Sequence, residues 1–356
     1  MYLICYGTRP EMIKMIPLIN KFKERNINFK TLFSGQHLNL FNDFKQYLPN
    51  PGFVLENIME HGQSLNKLSS KIMVQVDNIL EKEREITYII IQGDTTTAYT
   101  IALAGFHYKK QIVHLEAGLR THDKYSPFPE EMNRSLISKI ANIHLCPTNI
   151  AVDNLERENI KDGVYNVGNT IVDVFDYMIK TTNIPENINE IIEKIRIEKA
   201  RYIIITLHRR ENRGEKMGKL WEQLNAITVS EKYKTIRLIY ITHPALPESR
   251  EILNKNIILL DPLDYVSMVH LIYNSSGMIT DSGGLQEEAV CANKKVLVCR
   301  DTTERPETIE SGYGKLVDTE IIENVDFLLS ETSVEFSENP YGKNVCEKIV
   351  NIFNIF

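Results

Sequence analysis

Arg9 and Lys14 stand at the start of a helical pattern that follows the apolar run "LICY" and one glycine, Gly7. That end of a helix carries partial positive charge and disfavours cations, so two of them there imply an anion to be held. Carboxylates come from three separate stretches: Asp94 in "GDTTT" (93–97), Glu116 in "HLEAGLRT" (114–121) and Glu130 in "YSPFPEEMNR" (125–134). His208 opens "HRREN" (208–212), and His243 follows the apolar run "RLIYIT" (237–242). Cations that grip an anion, beside acids and imidazoles that move protons, make a general acid–base site for an anionic substrate. Each residue alone has an ordinary account. Asp94 caps the helix starting at Thr95, Glu130 satisfies a helix dipole, and Arg9 and Lys14 are solvated cations on a helix rim. Taken together, the ordinary accounts must be invoked too many times. A three-carboxylate metal site is an alternative, disfavoured because Arg, Lys and helix N-termini suffice to hold a diphosphate.

The stretch "TDSGGLQEEAV" (280–290) places Ser282 as an N-cap with Gly283 and Gly284 in the first turn. Glycine weakens a helix start, so two of them suggest a group that must approach the backbone closely. Bare N–H groups and the helix dipole form an anion site, with a diphosphate as the natural guest. Glu288 lies about a turn and a half further in, where its carboxylate can accept from a ribose diol; the alternative is a capped helix with a solvated Glu-Glu pair. Arg305, before Pro306 in "RDTTERPE" (300–307), is placed to aim a guanidinium at the same phosphates.

These residues need elements to position them. Short runs rich in β-branched and aromatic residues recur at 2–6, 29–33, 87–92, 111–115, 142–146 and 163–167, with helical patterns such as 64–82 and 95–106 between them. A second series runs at 201–206, 237–242, 256–260, 277–280 and 294–299, and "GKLVD" at 314–318 closes it. Strands alternating with helices imply parallel sheets, here two doubly wound α/β domains divided near Gly168–Asn169. The polar stretch 178–200 reads as a surface linker running into a helix, and Pro17 predicts a kink or a lost backbone bond in the first helix. Ligands of open parallel sheets bind outside the carboxyl ends of the strands, where nearly all the residues above fall. The expectation is one cleft between two sheets.

With 356 residues the chain exceeds one ordinary core. A net charge of −6 argues against broad nucleic-acid or anionic-membrane binding, so a phosphate site must be a local cluster. Five cysteines, with no CxxC pair, suit a reducing compartment. The opening residues lack a leader pattern and no apolar run reaches membrane-spanning length, so the expected location is the cytoplasm. "GTRPE" is not GxGxxG, and no P-loop lysine motif occurs, so a nicotinamide dinucleotide or P-loop nucleotide has no support.

The ordered set "GTRPEMIK" (7–14), "GDTTT", "HLEAGLRT", "YSPFPEEMNR", "HRREN", "TDSGGLQEEA", "RDTTERPE" and "NPYG" (339–342) resembles the non-hydrolysing UDP-N-acetylglucosamine 2-epimerase family and spans nearly the whole chain. The resemblance implies a glycosyltransferase-B type fold: two Rossmann-like domains, with the active site in the interdomain cleft. Residues 1–168 would form the N-terminal domain, with a final helix, 343–356, packing back on it, and 169–342 the UDP-binding domain. The family interconverts UDP-GlcNAc and UDP-ManNAc, usually as a homodimer, and requires neither cofactor nor metal.

By matching positions, Ser282, Gly283, Gly284, Glu288 and Arg305 hold UDP, with Arg9 and His243 near the phosphates or sugar. Lys14, Asp94, Glu116, Glu130 and His208 match catalytic positions. Some members have a regulatory site with a Gln-His-x-Gln element; here Gln36 and His37 match it, and Asn39 replaces the second glutamine. Met268 stands where the family often has an aromatic residue near uracil. The implied route breaks C1–O, removes the C2 proton to give 2-acetamidoglucal and UDP, and re-adds both with the proton on the opposite face. Competing readings are a hydrolysing relative, an epimerase for another UDP-2-acetamido sugar, a glycosyltransferase needing an acceptor, and a non-catalytic nucleotide-sugar sensor.

Overall fold

The computed structural model describes residues 1–35, 41, 44–330 and 339–353; Gln36, His37 and Asn39 lie outside the described residues. The chain forms two compact units, Met1–Val174 with Tyr341–Phe356, and Phe175–Pro340.

The sheet of the first unit holds β1 (Tyr2–Tyr6), β2 (Phe29–Phe33), β3 (Phe53–Val54), β4 (Tyr88–Gln92), β5 (Gln111–Leu115), β6 (Ile143–Cys146) and β7 (Val164–Asn166). Their order is β3-β2-β1-β4-β5-β6-β7, and every pair is parallel. Parallel strands covered on both faces read as continuous apolar runs, which is why "YLICY" and "YIIIQ" form β1 and β4. On one face, α2 (Leu65–Lys82) and α3 (Thr96–His107), whose ranges follow α1 (Arg9–Glu24), close a core of Leu3, Ile89, Ile91, Ile72, Val76 and Ile101. Next come α4 (Glu130–Ile140), α5 (Asn149–Arg157) and α6 (Ile171–Thr181).

Pro17 lies buried inside α1, which runs from Arg9 to Glu24, and, having no N–H, it leaves out one backbone bond of that helix, as expected of it. The helix Val345–Phe353 packs on α1 and β1: the Phe353 ring is 5.1 Å from Tyr2 and 5.8 Å from Phe22. Asp173 on α6 accepts the Val345 and Cys346 N–H bonds at 3.1 and 2.6 Å, capping that helix.

In the second unit β8 (Arg201–Thr206), β9 (Ile236–Ile241), β10 (Ile258–Leu260), β11 (Gly277–Thr280), β12 (Val296–Val298) and β13 (Gly314–Leu316) take the order β10-β9-β8-β11-β12-β13. These pairs are parallel too. The polar stretch after α6 becomes α7 (Glu186–Ile197), started by Pro185. Then follow α8 (Glu215–Val229), α9 (Tyr265–Asn274), α10 (Gly283–Cys291) and α11 (Pro306–Glu310), with the last helix, Val345–Phe353, as α12.

Both orders reverse once, between β1 and β4 and between β8 and β11. At such a switch point the neighbouring connections leave in opposite directions and open a crevice at the strand ends. Gly7–Arg9 and Gly93–Thr95 flank the first switch point, and His208–Arg209 and Asp281–Gly284 the second. No described helix is long and apolar enough to cross a membrane. The five cysteines are free thiols, four of them buried.

Candidate active site

The first switch point is tied together by a residue the sequence reading passed over. Glu11 is buried, and its Oε2 accepts the Gly7 and Thr8 N–H bonds at 2.7 and 2.8 Å. Its Oε1 accepts from Thr95 Oγ1 at 2.6 Å, joining the start of α1 to the start of α3. Burial pushes the Glu11 carboxyl up, and these hydrogen bonds counter the rise.

Arg9 is the first residue of α1 and is partly exposed, whereas Lys14 is buried, one turn further in. Lys14 Nζ lies 2.7 Å from Glu116 Oε1, with side chains only 10% and 9% exposed. Gln92 Nε2, at the end of β4, donates to the other Glu116 oxygen. Glu116 has φ 66°, a left-handed conformation costing a non-glycine residue roughly 1–3 kcal/mol. Strain of this kind persists where neighbours over-determine it, as Lys14 and Gln92 do here.

Asp94 does not cap the helix. Thr95 is the N-cap, its Oγ1 accepting the Ala98 N–H at 3.0 Å. The Asp94 carboxylate instead accepts from Arg134 Nε at 3.0 Å and from Arg134 Nη2. Arg134 Nη1 also reaches Glu131 at 3.0 Å, and Glu131 accepts the Thr121 and His122 N–H bonds at 3.0 Å each. Asn133 Nδ2 donates to the Asp94 carbonyl at 2.8 Å. These contacts pin the first turns of α4 to the β4 turn. Glu130, the first residue of α4, is partly exposed, and its carboxylate accepts no hydrogen bond from any described residue. The structure thus brings Lys14 and Glu116 into contact and holds Asp94 and the start of α4 on one Arg134.

At the second switch point the organising residue is Asp281, wholly buried at the end of β11. It accepts the His208 and Arg209 N–H bonds at 3.0 and 2.9 Å, and Asn212 Nδ2 at 3.0 Å. Asn212 also donates to the Cys299 carbonyl at 3.0 Å, fastening the turn to the end of β12. His208 and His243 stack, with ring centroids 5.1 Å apart and planes 19° apart. Burial lowers the His208 imidazole from its ordinary value, Asp281 opposes that and the neighbouring His243 adds to it.

Ser282 occupies the N-cap position of α10, but its side chain makes no capping bond. The capping expectation fails because Oγ does not reach the first-turn N–H groups. The two glycines differ. A Cβ on Gly283 would lie 2.6 Å from Glu304 Oε1, whereas one on Gly284 would meet nothing within 4 Å. Glu304 sits 3.3 Å from Arg209 Nη2 and is paired with Arg300. Burial alone would raise its carboxyl, but the guanidiniums of Arg305, Arg300 and Arg209 hold it at about 2. Arg305, just before α11, spends its Nε on Glu287, and Glu288 is buried on α10 beside that residue. Met268 lies half-buried on α9.

Sequence reasoning gave no role to Glu11, Arg134, Asp281 or Glu304. All four lie inside the quoted motifs, so the signal was position within a motif rather than residue type. Among the described residues, no group of three or more His, Cys, Asp or Glu is arranged to hold a metal.

The profile of the family described as UDP-N-acetylglucosamine 2-epimerase matches residues 20–354. The chain is 39% identical over 379 aligned positions to the UDP-N-acetylglucosamine 2-epimerase of Campylobacter jejuni, covering 98% of this chain and 96% of that one. It resembles the crystal structure of the Neisseria meningitidis UDP-GlcNAc 2-epimerase bound to UDP-GlcNAc, with a TM-score of 0.87, 33% identity and all of both chains covered. The Methanocaldococcus jannaschii UDP-GlcNAc 2-epimerase in complex with UDP-GlcNAc and UDP gives a TM-score of 0.82 at 32% identity, again over all of both chains. A profile spanning most of the chain and this degree of full-length identity settle its affiliation: the chain belongs to the UDP-N-acetylglucosamine 2-epimerase family.

Proposed function

We propose that this protein interconverts UDP-GlcNAc and UDP-ManNAc by eliminating UDP and adding it back, through a 2-acetamidoglucal. The observation that carries the reading is a division of labour between the two switch points. Lys14 and Glu116 pair at the first, and Arg134 and Asn133 tie Asp94 there to the first turns of α4, the helix that Glu130 begins. Imidazoles, guanidiniums and a bare helix start gather at the second. The family membership and the relatives solved with UDP-GlcNAc support the substrate.

The chemistry needs both sets. No carbonyl adjoins C2 to stabilise a carbanion, so direct proton removal is disfavoured. Breaking C1–O first gives the ring oxocarbenium character and makes C2–H acidic. The departing diphosphate needs preorganised positive charge, which Arg9, His208, His243, Arg305 and the Ser282–Gly284 helix start supply, with Glu288 on the ribose. The cationic ring needs negative charge, and C2 needs acids and bases for either face, which Asp94, Glu116, Glu130 and Lys14 supply. The elimination forms the C1–C2 double bond, sends the C1–O electron pair out with UDP and passes the C2 proton to a protein carboxylate. Re-addition returns UDP to C1 and delivers a proton from a second acid to the opposite face of C2, which gives the manno isomer.

In this reading residues 169–342 are the UDP-binding domain and 1–168 the acid–base domain, in a cytoplasmic homodimer whose product feeds surface polysaccharide. Incubation with UDP-GlcNAc alone, followed by anion-exchange separation, tests it. A mixture of UDP-GlcNAc and UDP-ManNAc without accumulating UDP is expected. Stoichiometric UDP with free ManNAc would mean hydrolysis, and turnover only with an added acceptor would mean transfer.

A further inference from the structure

The buried carboxylate of Asp281 does more than close a turn. Besides the two backbone N–H bonds and the Asn212 amide, which are hydrogen bonds, its Oδ1 lies 3.4 Å from His208 Nδ1, an ion-pair separation without a formed hydrogen bond, and Nδ1 is the ring nitrogen on that side. The ring is fixed on its other side by the stack with His243, so it has little freedom to turn that edge away. A carboxylate accepts and does not donate, so the nitrogen that faces it is the one that carries the proton in the neutral ring. Asp281 also directly precedes Ser282, whose N–H donates to Thr280 Oγ1 at 3.0 Å, while Thr280 and Thr206 share a 2.6 Å hydroxyl bond across β11 and β8. One residue therefore joins the His208 turn to the start of α10.

We propose that Asp281 is a positioning residue that keeps Nδ1 of His208 protonated, so that Nε2 is the nitrogen that gains and gives up the second proton and, when protonated, donates to the UDP oxygen. This rests on the epimerase reading for the identity of the substrate, but not for the tautomer. The 3.4 Å separation is of the kind that shortens when substrate orders a site. The charged and titratable groups around the ring are Asp281 after β11, His243 after β9, and Arg209 and Glu211 on its own turn. Of these only Asp281 and Glu211 favour the imidazolium, and Asp281 is the larger contributor, so its removal moves the His208 titration to lower pH.

The test uses full-length protein labelled with 15N-histidine, with the His208 signals assigned by their loss in His208→Gln. Long-range 1H–15N correlation in the wild type, above the His208 titration, is expected to show protonated Nδ1 and unprotonated Nε2. In Asp281→Asn the pattern becomes a tautomer mixture and the midpoint falls. An Nε2–H tautomer in the wild type, or an unchanged pattern and midpoint in Asp281→Asn, would overturn the proposal. Should Asp281→Asn fail to fold, the wild-type tautomer alone decides. The same samples given UDP-GlcNAc separate the two claims: a wild type with the expected tautomer but no UDP-ManNAc leaves the positioning role standing and removes the epimerase reading.

Discussion

Lys14 and Glu116, 102 positions apart in the chain, meet at 2.7 Å in a pair that solvent barely reaches. The cation at the disfavoured end of α1 is thus compensated from within the protein by a carboxylate at the end of β5. Breaking a buried pair by removing one partner strands the other charge and costs about 3–5 kcal/mol. Lys14→Met and Glu116→Gln are each expected to lower the unfolding free energy, read from urea titrations, by an amount in that range, and the double variant to recover much of it. Turnover behaves differently: Glu116→Gln should depress it about 100-fold or more, with UDP affinity nearly unchanged, and the double variant should not restore it. Recovered turnover in the double variant would show the pair to be structural only.

The two glycines of α10 separate packing from binding. Gly283→Ala drives a methyl group into Glu304 and should destabilise the protein by about 1–3 kcal/mol. Gly284→Ala meets no protein atom within 4 Å, and alanine is the better helix former, so stability should hold or rise slightly. If the diphosphate approaches this backbone, Gly284→Ala nevertheless weakens UDP binding by about tenfold, equivalent to about 1.4 kcal/mol. Calorimetric titration with UDP measures it, and undiminished affinity would move the phosphates elsewhere. Ser282→Ala, which loses no capping bond, should change stability by less than about 0.5 kcal/mol.

His114 and His144 pair across β5 and β6 and are both buried. Burial lowers their imidazoles to about 3 and about 4, from about 6.5 in the unfolded chain. The unfolded chain takes up these protons first. The neutral-histidine contribution to stability is therefore complete above about pH 6.5 and lost as pH falls towards 4 and then 3. The unfolding free energy from urea titrations should decline across that window, with a slope approaching about 1.4 kcal/mol per pH unit for each histidine. His144→Gln should remove about half of this slope; an unaltered slope would place the acid sensitivity elsewhere.

Much of the fold was legible because parallel strands buried on both faces leave continuous apolar runs, as in "YIIIQ" and "RYIIIT". β3 was not, since a two-residue strand, Phe53–Val54, carries no periodic signal. Pro17 was legible as a lost backbone bond inside a helix, and α1 runs on through it in a buried setting. In the site, Asp94, Glu116 and His208 could be picked out as polar residues ending apolar runs. Their supports could not. Arg134 reaches Asp94 from 40 residues away and Asp281 reaches Arg209 from 72, and a local pattern holds no record of such pairing. Residue type also cannot say whether Ser282 uses its hydroxyl, which depends on a side-chain torsion.

The central claim is that the C2 hydrogen is removed and replaced while UDP is detached. The direct measurement is proton NMR of UDP-GlcNAc incubated with the purified protein in D2O without acceptor. Deuterium at C2 of the UDP-ManNAc formed, and progressively of the remaining UDP-GlcNAc, is the expected result. UDP-ManNAc that retains the original C2 hydrogen, or a substrate pool that stays unexchanged and unconverted, would contradict it.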